Sequence, residues 1–259
     1  MSSLKHPAFV PYACWLGTWR DEAPPSLPVL ARWVDAAALA MPDGRSLRVV
    51  AAAGKRSALE HEQAIAHDAS IAVRAGCWHD ALNVLAWLLL PRTKAALTAC
   101  HVSEGVSATA NARSRRRDAA TLLDECGLLL ACDAPELAAL LQAHAWHALF
   151  VERAAEVQRH FSACVVGHGL LDKLRRPYRS LTAKTLILPV AAGTLPSPLD
   201  ARSWDSMAAA VVAGAAFNVN PLTPLPVAAL PGWDSEGMGV ALFNDATVFR
   251  PLPHGRQRG

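Results

Sequence analysis

The chain has 259 residues and a formal net charge of +3; 52% of its residues are hydrophobic and 18% are charged. This composition excludes an intrinsically disordered chain, and the length suffices for a sizeable core. The longest apolar runs, residues 84–90 and 207–217, are well short of the roughly 18 residues that span a bilayer. No secretory signal is visible and the six cysteines form no C-x-x-C pair. We therefore expect a cytoplasmic protein with free thiols and no membrane contact.

Hydrophobic periodicity predicts a helix-rich chain with short strands. The clearest helical pattern covers residues 78–90, and Pro91 ends it because proline lacks an N–H group. A capping box of Ser57 and Glu60 marks the start of an earlier helix. The predicted helices are residues 27–40, 57–66, 78–90, 92–100, 134–144, 146–159, 167–176 and 203–217. The predicted strands are residues 47–53, 161–166, 185–190 and 246–249.

Residues 119–132 have the pattern of a β-hairpin, with an apolar run on each side of the sequence Asp-Glu-Cys-Gly. Asp124 and Glu125 are then turn residues, and Gly127 takes the left-handed conformation that closes the turn. On this interpretation Gly127→Val destabilises the protein by about 1–3 kcal/mol, because a β-branched residue is strained at positive φ.

Together these elements predict a single α+β domain over residues 1–259, which is helix-rich and has a short antiparallel sheet. Proline recurs from residue 191 onwards. Because this region has too little periodic sequence for a core of its own, we expect a proline-rich C-terminal arm that wraps on the body of the domain.

Two polar patterns stand at the starts of apolar helices. His79 and Asp80 open the helix at 78–90 with Asn83 on the same face, and His168 precedes Asp172 by one helical turn. Imidazole and carboxylate groups at these spacings can share a divalent metal or act as a base with its orienting partner. Helix capping and a surface ion pair account for the same residues without any activity, and both interpretations stay open. The candidate metal ligands are His79, Asp80, His168 and Asp172.

The wider set of candidates consists of polar groups on or beside apolar segments, where an unpaired polar group costs about 1–3 kcal/mol. The candidate catalytic residues are His79, Asp80, Asp118, His168 and Asp172. The candidate residues for binding a substrate or anion are Asn83, Lys94, Arg117, Lys173 and Lys184.

The chain has no P-loop, Rossmann or nucleophile-elbow motif. Between about residues 65 and 251 it carries an ordered set of short motifs, which include Trp78-His-Asp-Ala-Leu-Asn, Leu90-Pro-Arg-Thr-Lys, Leu123-Asp-Glu-Cys-Gly and Gly167-His-Gly-Leu-Leu-Asp-Lys. In these motifs the sequence resembles the bacterial domain-of-unknown-function family numbered 3025. Gly169 and Asp172 depart from the resemblance, since the family usually has alanine and glutamate there. The resemblance implies no particular activity.

Two function classes remain open. The first is an enzyme, a metal-assisted hydrolase of an anionic or phosphorylated substrate, in which His79 and His168 share one polar pocket. The second is a non-catalytic binding protein that contacts RNA or an acidic partner through the basic segments 113–117 and 173–179. The enzyme is the leading hypothesis, because only one aromatic residue, Tyr178, is interleaved with the basic residues. The sequence does not establish whether a metal is bound.

Overall fold

The computed structural model describes residues 4–17, 19, 22–54, 57–103, 115–218, 222–234, 237 and 239–252. The fold is α+β and rich in helix, with 54% helix and 15% strand, which confirms the predicted class. The helices are α1 (Ala13–Leu16), α2 (Leu27–Ala36), α3 (Ala58–Asp68), α4 (Trp78–Leu89), α5 (Pro91–Ser103), α6 (Arg115–Cys126), α7 (Pro135–Gln142), α8 (Ala154–His160), α9 (His168–Leu174) and α10 (Ala201–Ala213). The strands are β1 (Arg48–Ala51), β2 (Ser70–Val73), β3 (Gly127–Cys132), β4 (Phe161–Val165), β5 (Thr182–Pro189) and β6 (Leu222–Pro226).

The strands form two small sheets. β1 and β2 are paired in parallel, and the other four strands have the order β4-β3-β5-β6. β3 runs antiparallel to β4 but parallel to β5, and β5 runs antiparallel to β6. The larger sheet is therefore mixed, whereas the sequence predicted antiparallel pairing alone. All six residues of β3 are buried, as expected for a strand at the centre of a covered sheet.

Local sequence signals explain several helix boundaries. The capping box at the start of α3 is present: the Glu60 N–H donates to Ser57 Oγ at 3.2 Å and the Ser57 N–H donates to Glu60 Oε2 at 2.7 Å. Pro91 separates α4 from α5 as predicted. The first N–H groups of α5 are satisfied from far along the chain, because Asp205 of α10 accepts from Arg92 and Thr93 at 3.0 and 2.8 Å.

The predicted hairpin at residues 119–132 is wrong. Residues up to Cys126 continue α6, and Gly127 begins β3 with no turn between them. The apolar residues before Asp124 are the buried face of a helix, and β3 finds its antiparallel partner in β4, more than 25 residues later. Gly127 is also absent from the glycines with positive φ, so the strain argument for Gly127→Val does not apply.

Other elements also differ from their predictions, and β2 was not predicted at all. The helix predicted at 146–159 is a π-helical turn, Ala148–Glu152, followed by α8. Residues 246–248 form a turn and not a strand. β6 was not predicted because Pro224 and Pro226 argue against a strand, yet both lie on an edge strand, where a missing N–H is tolerated.

The buried apolar side chains form one continuous cluster that extends from Ala8 to Phe249. Tyr12 belongs to this cluster, and its hydroxyl donates to the Val165 carbonyl at 2.7 Å, which fixes the N-terminal segment to the end of β4. All six cysteines are unpaired. In the described part of the chain, every helix is too short or too polar to cross a bilayer.

Candidate functional site

Five helices surround a cleft of about 550 Å³. Its polar lining comes from α3, α4, α5, α6 and α9, with a smaller contribution from the segments around β1 and β2. This volume lies within the range of small-molecule sites, about 300–1,000 Å³. Four of the lining residues are histidines, namely His61, His79, His101 and His168.

His79, His168 and Glu125 meet on one side of the cleft. The two imidazole rings are 4.4 Å apart between centroids and stand edge to face. Glu125 Oε1 lies 3.9 Å from His79 Nε2 and 3.6 Å from His168 Nε2. One ligand atom from each residue lies within 4.8 Å of the other two, a spacing at which the three side chains could hold a metal ion. The prediction that His79 and His168 share one pocket is therefore confirmed in its geometry.

A close approach of two glycines explains why Glu125 and His168 meet. The Gly167 N–H donates to the Gly127 carbonyl at 3.0 Å, and a Cβ on Gly167 would lie 2.2 Å from the Gly127 nitrogen. The end of α6 can therefore touch the start of α9 because Gly167 lacks a side chain. A Cβ on Gly169 would lie 2.5 Å from Glu125 Oε2, so the glycine at this position leaves space for the Glu125 carboxylate.

Behind these groups lies a buried ion pair between Lys94 and Asp124. The second carboxylate oxygen of Asp124 is 3.7 Å from His168 Nδ1. Burial alone would raise the pKa of Asp124, but the charge of Lys94 lowers it to about 2. Burial lowers the pKa of His168 to about 3, more than the neighbouring Asp124 raises it. The imidazole is therefore neutral near pH 7, which a metal ligand must be.

Glu125 is the more exposed carboxylate of the set. Burial and the charge of Asp124 raise its pKa, against the opposing effect of His79. A carboxylate oxygen at the cleft surface beside two imidazoles is a combination found in zinc and non-haem iron sites.

The other side of the cleft is lined by His61, Asn83 and His101 together with Glu62. Asn83 Nδ2 is 3.5 Å from His61 Nε2, and Glu62 accepts a hydrogen bond of 2.7 Å from the Thr98 hydroxyl. Burial lowers the pKa of both His61 and His101. This side of the cleft therefore presents uncharged imidazoles, an amide and the carboxyl group of Glu62.

Of the residues singled out from the sequence, the cleft brings together His79, Asp80, Asn83, Arg117 and His168. Asp80 is already engaged by Arg74, which donates to it from its backbone N–H and its guanidinium at 2.7–2.8 Å. Burial would raise the pKa of Asp80, but this contact lowers it. Arg74 thus holds the Asp80 carboxylate, which is not part of the cluster of His79, His168 and Glu125.

The remaining five candidates lie outside the cleft lining. Asp172 pairs with Arg175 at 2.9 Å, and Asp118 and Lys173 are exposed on their helices. Lys184 is on β5, opposite Gly127 and Pro224. Lys94 is only 2% exposed and is bound to Asp124, so it cannot reach an anion in the cleft. A role for these five residues in the cleft therefore has no support from their positions.

Three arginines of the two basic segments make contacts within the chain. Arg116 donates to the Val212 carbonyl at 2.9 Å, Arg175 lies over the Trp78 ring at 4.2 Å, and Arg179 pairs with Asp245 at 3.0 Å. Residues 113 and 114 of the first segment lie outside the described residues. The contacts in the described part are intramolecular and stabilise the fold.

Asp124 and Glu125 were misread as turn residues, and His61, Glu62 and His101 were not singled out. The sequence does contain a signal for His101 and Asp124. Each belongs to a row of polar residues at positions i, i+4 and i+7, which lie on one face of a helix. The rows are Lys94-Thr98-His101 on α5 and Arg117-Thr121-Asp124 on α6.

Comparison with known proteins gives a family but no activity. The family model described as protein of unknown function (DUF3025) matches residues 47–253, a stretch that holds every residue of the cleft. No curated protein and no solved structure matches the chain.

Proposed function

The chain belongs to DUF3025, a family of unknown function, so its activity has to be inferred from its own residues, and we propose that the cleft is the active site of a metal-dependent hydrolase. The observation that carries this proposal is the convergence of His79, His168 and Glu125 from three different helices. Two histidines and one carboxylate are the protein ligands of several catalytic zinc sites, in which a water occupies the fourth position.

The ligand spacing supports this proposal. A tetrahedral zinc ion with bonds of about 2.0–2.1 Å holds its ligand atoms about 3.4 Å apart. The two Nε2 atoms are 3.6 and 3.9 Å from Glu125 Oε1, so only a small contraction is needed. A zinc ion at this position would lower the pKa of a bound water to about 7, which makes it a nucleophile at neutral pH.

The substrate we propose is a small anionic molecule, with a phosphate ester as the first class to test. Arg117 lines the cleft, and a bound metal ion would add further positive charge. In the hydrolysis the water oxygen bonds to phosphorus, the ester P–O bond breaks, and the leaving oxygen takes up the proton that the water has lost. Of the residues predicted to bind an anion, we retain Arg117 and not Lys94, because Lys94 is buried against Asp124.

The test is hydrolysis by metal-free protein reloaded separately with Zn²⁺, Mn²⁺ or, without oxygen, Fe²⁺. Iron is included because the same three ligand types bind Fe(II) in oxygenases. The probes are p-nitrophenyl phosphate, bis(p-nitrophenyl) phosphate and p-nitrophenyl acetate. We expect metal-dependent hydrolysis of a phosphate ester that Glu125→Gln abolishes and that Asp172→Asn retains. Hydrolysis that survives in Glu125→Gln, or no metal-dependent hydrolysis of any of the three esters, contradicts the proposal.

A further inference from the structure

We infer that Asp124, held by Lys94, is a positioning residue: it keeps the His168 proton on Nδ1 and leaves the Nε2 lone pair facing His79 and Glu125. The inference rests on the proposed function, because Nε2 is the atom that would bind the metal. It gives a role to the buried ion pair of Lys94 and Asp124.

The first observation is the position of the unpaired nitrogen. His168 Nδ1 is buried and has no hydrogen-bond partner. The nearest acidic atom to it is Asp124 Oδ2, at 3.7 Å. This distance exceeds the roughly 2.7–3.2 Å of an N–H···O hydrogen bond, but it is short enough for a small rotation of the imidazole to close. A buried donor left unpaired costs about 1–3 kcal/mol. A rotation that brings the Nδ1 proton to Asp124 Oδ2 removes this cost and so favours the tautomer protonated on Nδ1.

The second observation is the other edge of the ring. Nε2 of His168 faces Glu125 Oε1 at 3.6 Å and the His79 ring beyond it. With the proton on Nδ1, the Nε2 lone pair points at this group and can bind a metal. In metal sites the second ring nitrogen commonly donates to a carboxylate, which fixes the tautomer and the ring orientation.

The third observation concerns Lys94. The residue is 2% exposed; its ammonium binds Asp124 Oδ1 and lies 5.9 Å from the centre of the Trp87 ring. By holding Oδ1, Lys94 fixes the carboxylate so that its second oxygen, Oδ2, faces His168 Nδ1.

The test uses two readouts, of which the first needs no metal. Long-range ¹H–¹⁵N NMR of the metal-free protein should show His168 protonated on Nδ1. In the double variant Lys94→Met/Asp124→Leu, which removes both charges with little change in volume, that preference should be lost. We choose the double variant because a single one leaves an unpaired buried charge and endangers folding.

The second readout is zinc affinity. The double variant should bind zinc about 10–100-fold more weakly than the wild type, as expected for the loss of an outer partner of a histidine ligand. Lys94→Met/Asp124→Asn keeps a carbonyl acceptor and should lose less. Asp133→Asn changes another acid that faces a histidine, His160, outside the lining of the cleft, and should stay within about threefold of the wild type.

A wild-type His168 protonated on Nε2, or equal zinc affinities in the wild type and Lys94→Met/Asp124→Leu, overturns the inference. A wild type that binds no zinc contradicts the proposed function instead, and the tautomer of His168 then still decides the role of Asp124.

Discussion

The antiparallel strands β3 and β4 have an acidic residue and a histidine at each end, and the two ends differ. At one end His160 Nδ1 lies 2.8 Å from Asp133 Oδ1, and the other Asp133 oxygen accepts from the Gly193 N–H at 2.8 Å. At the opposite end His168 Nδ1 is 3.7 Å from Asp124 and has no partner. The His160 side chain is 37% exposed and that of His168 is 7% exposed.

This difference distinguishes a structural pair from a functional one. The pair of Asp133 and His160 has its hydrogen bonds made and ties the turn around Gly193 to the end of β3. Asp124 and His168 lie deep in the protein with one nitrogen unsatisfied, although burial makes that arrangement costly. An unsatisfied buried nitrogen of this kind is expected at a functional site more than in a structural pair.

The largest expected effect of this contrast is on stability. Lys94→Met leaves Asp124 as an unpaired buried charge and should lower the free energy of unfolding by about 3–5 kcal/mol. The double variant Lys94→Met/Asp124→Leu should recover most of that loss. Asp133→Asn, at the other end of the strands, should cost less than Lys94→Met. Urea denaturation of the three variants measures this order, and an equal loss in Lys94→Met and Asp133→Asn would remove the distinction.

The next effect is the dependence of stability on pH. Burial lowers the pKa of His168 from an ordinary 6.5 to about 3, so between these values the unfolded chain binds a proton that the folded protein does not. The contribution of His168 to stability is complete above pH 6.5 and is lost as the pH falls towards 3, by about 1.4 kcal/mol per pH unit.

Urea denaturation in EDTA between pH 4.5 and 7 tests this slope. His168→Gln should flatten the dependence of stability on pH. His67→Gln, at an exposed position, is the control: it shows how the loss of one surface imidazole changes the same slope. A wild type whose stability does not change over this range, or a variant with an unchanged slope, contradicts the burial of a neutral His168.

A smaller effect should follow from crowding the junction of α6 and β3 at Gly127. A Cβ on Gly127 would lie 2.0 Å from the Leu123 carbonyl oxygen, so Gly127→Ala should destabilise by about 1–3 kcal/mol, as overpacking does. Gly214→Ala is the matched control, because its methyl group would come no closer than 3.3 Å to a neighbour. Thermal unfolding of both variants measures the difference, and a Gly127→Ala protein as stable as Gly214→Ala would show that the junction adjusts freely.

The smallest effect is expected at Asp172, the carboxylate first proposed as a ligand from its spacing to His168. Its partly exposed pair with Arg175 should contribute about 0–1 kcal/mol. Asp172→Asn should therefore unfold at nearly the wild-type urea concentration. A loss as large as that of Lys94→Met would place Asp172 in a buried network that the structure does not contain.

The sequence was most informative where a local signal decides the structure. The capping box of Ser57 and Glu60, the break at Pro91 and the helix that carries His79 were all predicted from neighbouring residues. The error at Asp124 and Glu125 arose because a helix that runs directly into a strand has the same apolar pattern as a hairpin. Its true strand partner, β4, begins at Phe161, too far along the chain for a local pattern to reveal.

The site itself was predicted only in part for the same reason. His79 and His168 were paired correctly because both begin apolar helices that pack on a common core. The third residue of the site is the acid that faces the two histidines. The spacing of four residues from His168 favoured Asp172, whereas the structure has Glu125 in that position. The contact of Gly127 with Gly167 brings the end of α6, and with it Glu125, to the start of α9, and that contact joins residues 40 positions apart.

The central claim is that His79, His168 and Glu125 form a metal site, and zinc titration against a chromophoric chelator tests it most directly. The wild type should bind one zinc ion per chain, His79→Ala, His168→Ala and Glu125→Gln should each lose that binding, and Asp172→Asn and His160→Ala should keep it. Binding that is absent from the wild type, or that persists in Glu125→Gln but disappears in Asp172→Asn, would contradict the account.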